Sequence, residues 1–175
     1  MIARGDFSAV ATHSELPYLY AVHSNIVSVY QRNGETFLKR CSFSLKWESP
    51  SICVCKDKLL VCLTNIGRID IYSLDGVWQC STGHSGKENP GSLNSPYISS
   101  DCSHGDMIWI ADKDNNRIQT LQLSTLHWSV EKLTPSIEYP RSVVKSAGML
   151  YVCEYGSQQL SGYFYSMIRP VNTAK

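Results

Sequence analysis

No run of the 175 residues approaches the length of about 20 apolar residues that a membrane-spanning helix needs. The first residues, MIARGDFSAVATHSEL, hold no apolar core of signal-peptide length, and there is no Asn-x-Ser/Thr acceptor anywhere in the chain. These absences argue against secretion and membrane insertion, and the expected compartment is the cytoplasm. An excess of charge of one sign is lacking too. Sixteen Lys and Arg against fifteen Asp and Glu leave a formal net charge of +1. That supplies neither a strong field for phosphate nor an acidic tail, so the choice of partner must be made locally. Catalytic signatures are missing as well: there is no GxSxG, no HExxH and no glycine-rich phosphate loop. Cysteine is present, but the seven are an odd number, and most fall inside predicted strands rather than in loops at framework spacings. That favours reduced, buried thiols.

What is present is a hairpin. Met107 to Ala111 is apolar and β-prone, Asp112 to Asn116 is turn chemistry, and Arg117 to Leu123 alternates apolar and polar residues. It recurs. Taking Leu19, Leu60, Ile108 and Leu150 as the apolar centres of four first strands gives steps of 41, 48 and 42 residues. The partner strands follow at Ile26 to Tyr30, Arg68 to Tyr72, Arg117 to Leu121 and Gln159 to Tyr163, and a proline (Pro17, Pro50, Pro96, Pro140) precedes each unit. Asn33-Gly34 and Asp75-Gly76, both hairpin dipeptides, stand 42 residues apart after the second strand of the hairpin. A period of about 40 to 50 residues with several short strands per unit predicts a propeller.

Pro96, then the strand ending Ile110-Ala111-Asp112, then Asn115-Asn116-Arg117-Ile118-Gln119 resembles an NHL repeat. The other copies are worn. Leu63-Thr64-Asn65 with Gly67-Arg68-Ile69 keeps the Arg and loses the Asp, Cys153-Glu154-Tyr155 with Ser157 to Leu160 replaces Asp by Glu and Arg by Gln, and Val22 to Asn25 has neither. The resemblance covers nearly the whole chain and is closest to the C-terminal NHL domain of tripartite-motif (TRIM) proteins. It implies an all-β, NHL-type propeller.

At this length one domain spanning 1–175 is expected, large enough to bury roughly 70% of its unfolded surface. About four antiparallel four-stranded blades are predicted near 6–42, 50–81, 96–133 and 140–168, the last incomplete, with 165–175 a weak outer strand. The Gly/Ser/Asn/Pro-rich stretch 82–95 reads as an exposed, mobile connection. Four blades of this type leave two raw blade edges. The chain is therefore expected to be a fragment of a longer propeller, or to close through missing blades or self-association.

Three clusters invite chemistry. Asp112, Asn115 and Asn116 place three oxygen side chains together, but the acidic residue that completes a calcium loop is absent, so Asp112 and Asn116 are expected to bond turn backbone, with an Asn in the left-handed conformation. Cys53 and Cys55 share a strand face beside Cys62, yet no C-x-x-C knuckle or nearby His completes a zinc site. Asp101 to Asp106 (DCSHGD) brings Ser, Cys, His and Asp into a contiguous hexapeptide, and triad members must converge from separate elements, so a polar turn is expected. No metal and no cofactor is predicted.

What remains is surface. Turns between second and third strands, with blade-to-blade connections, emerge on one face of a propeller. That face is expected to carry Arg68, Lys113, Asn115, Arg117, Tyr97, Tyr139, Arg141 and Tyr155 as a binding platform, with His23, Asn25, Asn65 and Gln158 around them. Arg and Tyr are residues that interfaces favour. The resemblance implies a non-enzymatic scaffold that captures a protein partner, as the substrate-recognition part of a TRIM-type ubiquitin ligase; no RING, B-box or coiled-coil signature lies in these residues. RNA is the alternative ligand, since basic side chains interleaved with tyrosines suit phosphate contact and base stacking. A propeller fragment of an enzyme is a further alternative, and the bland reading is that Arg68 and Arg117 only bridge adjacent blades.

Overall fold

A computed structural model describes residues 7–13, 15–47, 51–146, 148–156 and 159–164, the side chains of 99–104, 159 and 164 aside. The first blade is β1 (Ala9–Thr12), β2 (Tyr18–His23), β3 (Ile26–Asn33) and β4 (Thr36–Ser44), in that order and antiparallel throughout. The second is β5 (Ser51–Cys55), β6 (Lys58–Leu63), β7 (Arg68–Ser73) and β8 (Trp78–Thr82). A small parallel pair, β9 (His84–Ser85) with β10 (Ser92–Leu93), follows. The third blade is β11 (Pro96–His104), β12 (Met107–Asp112), β13 (Arg117–Gln122) and β14 (His127–Glu131). Three strands of the fourth are described: β15 (Pro140–Ser146), β16 (Met149–Glu154) and β17 (Gln159–Phe164). Its expected outer strand, 165–175, lies outside the described residues. Among the described residues the only helical pieces are two 3-10 turns, Thr64–Ile66 and Lys113–Asn115. The first strands β1, β5, β11 and β15 pack on one another in succession, so the blades range around one axis as a β-propeller.

Alternation along each strand explains the packing. Side chains of a strand point by turns to its two faces, and a blade is covered on both. Ala11, Tyr20, Val22, Val27 and Val29 of blade 1 meet Ile52, Val54, Leu59, Val61 and Leu63 of blade 2 in one buried cluster. Cys53, Cys55, Leu60, Cys62, Ile69 and Ile71 leave the opposite face of blade 2 for a second cluster with blade 3. Trp109 is fully buried and faces blade 4, where the Lys145 ammonium lies 5.8 Å from its ring. Each sheet thus has a forward face toward the next blade and a backward face toward the one before.

The register corrects one alignment. Counted back from the β2–β3, β6–β7, β12–β13 and β16–β17 turns, the counterparts of Leu19 are Leu59, Ile108 and Leu150, not Leu60. A slip of one residue exchanges the two faces. The doublet Leu59-Leu60 hid it, because both members are fully buried, one on each face.

Two further expectations change. The stretch 82–95 is not simply exposed: Gly91, Ser92 and Leu93 are buried, and it folds back through the β9–β10 pair. Asp101 to His104 belongs to strand rather than turn, since β11 continues past an irregularity between Ile98 and Ser103 and the turn is only Gly105-Asp106; the side chains of 101–104 lie outside the described residues. The thiols divide. Cys53, Cys55 and Cys62 are buried, with Cys62 donating to the Pro96 carbonyl at 3.1 Å and Cys55 to that of Gly105 at 3.4 Å, while Cys41 and Cys153 are exposed. Cys41, Cys80 and Cys153 are free thiols.

Candidate recognition face

The turns after β6 and β12 are built alike. A 3-10 turn ends on a residue in the left-handed region, Gly67 at φ 60° in one and Asn116 at φ 52° in the other. Asn tolerates that conformation better than most residues with a side chain. Gly67 is further required by space, since a Cβ there would sit 2.5 Å from the Leu93 carbonyl oxygen.

Around Asp112 the donors converge. Its carboxylate is fully buried and accepts from the Asn94 amide at 2.7 Å and from Asn115 Nδ2, Arg117 Nε and Gln119 Nε2 at 2.8 Å each. Arg117 also donates through Nη2 to the Ser92 carbonyl at 2.6 Å and the Asn89 carbonyl at 3.3 Å. Gln119 donates to Ser92 O and accepts from the Gly91 amide, and Asn115 Nδ2 reaches Gly86 O. One buried carboxylate therefore ties the turn to the 82–95 segment and holds that segment on the propeller. The backbone amide that Asp112 accepts is that of Asn94 in the neighbouring segment rather than one of its own turn, and the Asn116 side chain accepts from the Tyr139 amide at 2.8 Å. With its oxygens committed to four donors, Asp112 has nothing left for a cation, and among the described residues no three His, Cys, Asp or Glu side chains gather as a metal site would require.

Blade 2 keeps the arginine and moves its acid. The place of Asp112 is taken by Leu63, and Arg68 pairs instead with Asp70, at 2.8 Å from Nε and 3.1 Å from Nη2. Asp70 is buried and also accepts from Ser81 Oγ at 2.6 Å. Blade 4 keeps an acid and has Gln159 where the arginine would stand: Glu154 is buried and accepts from the Glu138 amide at 2.8 Å and from the Ser161 hydroxyl.

The side chains that remain open gather at the seam of blades 3 and 4. Arg141, at the start of β15, lays its guanidinium 5.4 Å from the Tyr97 ring and 5.6 Å from the Tyr155 ring. Lys113 approaches the Tyr155 ring at 5.8 Å and is 3.6 Å from Asp114. Tyr155 is 61% exposed and Tyr139 45% exposed, and Tyr97 is half-buried. The backbone fixes these rings: the Tyr155 amide donates to Tyr139 O at 3.0 Å, and Gly156 is close enough to Tyr139 that a Cβ there would sit 2.9 Å from its ring. Arg141 makes no ion pair and no hydrogen bond among the described residues, and it is exposed, so its donors face solvent while two rings flank its guanidinium.

Of the eight residues expected on this face, Lys113, Tyr97, Tyr139, Arg141 and Tyr155 come together at the seam. Arg117 and Asn115 lie beside them but are committed to Asp112 and the 82–95 segment, and Arg68 sits on blade 2 in its own ion pair. Gln158 lies outside the described residues. The anchoring roles of Asp70, Gln119 and Glu154 were not anticipated; the repeat register carries a signal for Asp70 and Gln119, which occupy equivalent positions in β7 and β13.

No family model matches the chain, and no curated protein matches it by sequence. Solved structures do. A protein of unknown function from Bacteroides thetaiotaomicron superposes with a TM-score of 0.71 at 13% identity, over 91% of this chain and 47% of that one. A streptogramin B lyase gives 0.63 at 15% identity, over 93% and 55%. BamB from Moraxella catarrhalis gives 0.60 at 19% identity, over 96% and 49%. At these identities the likeness is one of fold. The chain spans about half the length of the structures it matches.

Proposed function

We propose that this chain is a non-enzymatic recognition scaffold that holds a protein partner at the blade 3–blade 4 seam. Tyr139 and Tyr155 supply the contact area, and Arg141 takes an acidic group of the partner. The observation that carries this is the guanidinium of Arg141, stacked between Tyr97 and Tyr155 with no acceptor of its own. Exposed tyrosines around an unpaired arginine are the composition of an interface centre, where ordered aromatic rings bury area with little loss of freedom. The reading is supported by contrast within the molecule, since Arg68 and Arg117 are held by buried carboxylates and cannot serve a ligand without breaking those pairs. Service as the substrate-recognition part of a TRIM-type ligase is the finer form of this proposal and rests on the sequence resemblance alone. The odd number of cysteines and the burial of Cys53, Cys55 and Cys62 support a reducing, cytoplasmic setting as part of this proposal.

RNA is the competing ligand, favoured by Lys113 and Arg141 beside the two stacked rings. Two cations give a shallow dependence on salt, with a slope of about 1.4 at roughly 0.7 per single-strand phosphate contact. Titrating the chain with a random single-stranded RNA pool at low and high salt separates the readings. The protein reading expects no binding even at low salt, and binding that falls with salt at that slope and is lost in Arg141→Ala would overturn it.

A further inference from the structure

The residues that lead into blades 3 and 4 occupy the same place and are used differently. Ser95 and Tyr139 each precede the proline that pairs with the buried acid of the next strand, Pro96 with Asp112 and Pro140 with Glu154, and both lie in the left-handed region, at φ 53° and 46°. In blade 3 the side chain is small and satisfied, since Ser95 Oγ donates to Asp114 at 2.5 Å. In blade 4 the position two after the acid is Gly156, and the Tyr139 ring lies against it instead. A bulky side chain at positive φ is a true outlier, and its strain persists only where the surroundings hold it. Here it is held from both sides: the Tyr139 amide donates to Asn116 Oδ1 at 2.8 Å, and its carbonyl accepts the Tyr155 amide at 3.0 Å. The result is a ring fixed in place yet 45% exposed. Strain kept at an exposed ring marks a functional constraint rather than a packing one.

The same bonds limit how a partner can be held. The Tyr139 and Tyr155 amides and the Tyr139 carbonyl are taken up within the seam, so a partner cannot add there as a β-strand through those groups. What is offered is side chain: the faces of Tyr139 and Tyr155, the Arg141 guanidinium, and the hydroxyls of Tyr97, Tyr139 and Tyr155, which make no hydrogen bond among the described residues. Flat aromatic faces with hydroxyl donors suit a polyproline II segment, which presents proline rings for stacking and leaves its own carbonyls unpaired. Such a segment is already ordered, so it loses little freedom on docking. Arg141 adds a demand for an acid. Given the seam's proposed role in protein recognition, on which this rests, we infer that its occupant is an extended, proline-bearing acidic segment of the partner, and that Tyr139 is the residue that selects it.

The test sets the full 175-residue chain against an array of short peptides that carry Asp or Glu beside two prolines three residues apart, the repeat of a polyproline II turn. A matched set has alanine in place of the prolines. The proline set should bind, and the alanine set should bind at least about tenfold more weakly. Tyr139→Asn removes the ring and places at that φ a residue that tolerates it, so it should melt no lower than the parent while binding the proline set about 30-fold or more weakly. Tyr139→Phe should keep the melting temperature and lose about fivefold in affinity, the share of one hydroxyl. Equal binding of the two sets, or full binding by Tyr139→Asn, would overturn the inference. So would a Tyr139→Asn that melts well below the parent, because the ring would then be structural. Peptides that bind through Arg141 and need no proline would overturn it while leaving the seam a recognition site, whereas binding that ignores both Arg141→Ala and Tyr155→Ala would sink both.

Discussion

Blades 3 and 4 share one device and use it differently. In each, a buried acid at the end of the second strand, Asp112 or Glu154, accepts a backbone amide from the segment that leads into its own blade. Around Asp112 the arginine of the same hairpin completes the arrangement, with Nε on the carboxylate and Nη2 on the Ser92 carbonyl. Around Glu154 the corresponding residue is Gln159, and the arginine of that blade's first strand, Arg141, stands outside on the rim between two tyrosines. The same framework thus supplies a closed, load-carrying seam in blade 3 and an open one in blade 4. A charge satisfied internally stabilises the fold; a charge held by rings alone is available to a partner.

The comparison is tested most severely by Trp109 and Tyr151, which hold equivalent places in β12 and β16. Trp109→Ala should destabilise by about 3–5 kcal/mol, as removal of a fully buried large aromatic does. Tyr151→Ala, at a half-exposed site, should cost about 1 kcal/mol or less in the isolated chain. Urea unfolding of both variants gives the two values, and equal costs would show that blade 4's forward face is not the open one.

Removing Arg117 should come next. Asp112 would keep its other donors but lose its cation, and stripping one partner from a buried pair costs about 3–5 kcal/mol, here toward the lower end. Arg141→Ala should leave the unfolding free energy within about 0.5 kcal/mol of the parent, as substitutions at exposed, unpaired sites do. In hydrogen exchange, the Gly91 and Asn94 amides should lose protection in Arg117→Ala and keep it in Arg141→Ala.

The smallest effect concerns Glu131 in blade 3. Burial pushes its carboxyl above the ordinary range, against the hydrogen bond from Thr120 at 3.1 Å and the nearby Lys145. A carboxyl raised in the folded state favours the fold while protonated, and that contribution is lost as pH rises through its folded value. Glu131→Gln should therefore gain stability at neutral pH and gain nothing at pH below the unfolded carboxyl range. The difference should be below about 1 kcal/mol, roughly 2–4 °C in Tm at this chain size. Melting curves at two pH values check it.

Much of the fold was legible because alternation and turn chemistry are local. The expected strands Met107 to Ala111 and Arg68 to Tyr72 each fall one residue short of β12 and β7, and the burial of Trp109 follows from its place mid-strand in a blade covered on both faces. What escaped was long-range. The 82–95 stretch has the composition of a loose connection, and only the donors of Arg117, Gln119 and Asn115, about 30 positions or fewer away in sequence, turn it into packed structure. Arg68 and Arg117 looked equivalent as surface cations because their partners, Asp70 and Asp112, stand at different distances along the chain. The seam cluster was named residue by residue, but which members stay open depends on acceptors that no spacing reveals.

The direct test of the recognition claim is a selection of random displayed peptides on the full 175-residue chain, counter-screened against Arg141→Ala. The account predicts enriched peptides that share an acidic residue beside an apolar or aromatic one, and that lose most of their affinity for Arg141→Ala or Tyr155→Ala while both variants melt with the parent. Peptides that bind Arg141→Ala as tightly as the parent would contradict it.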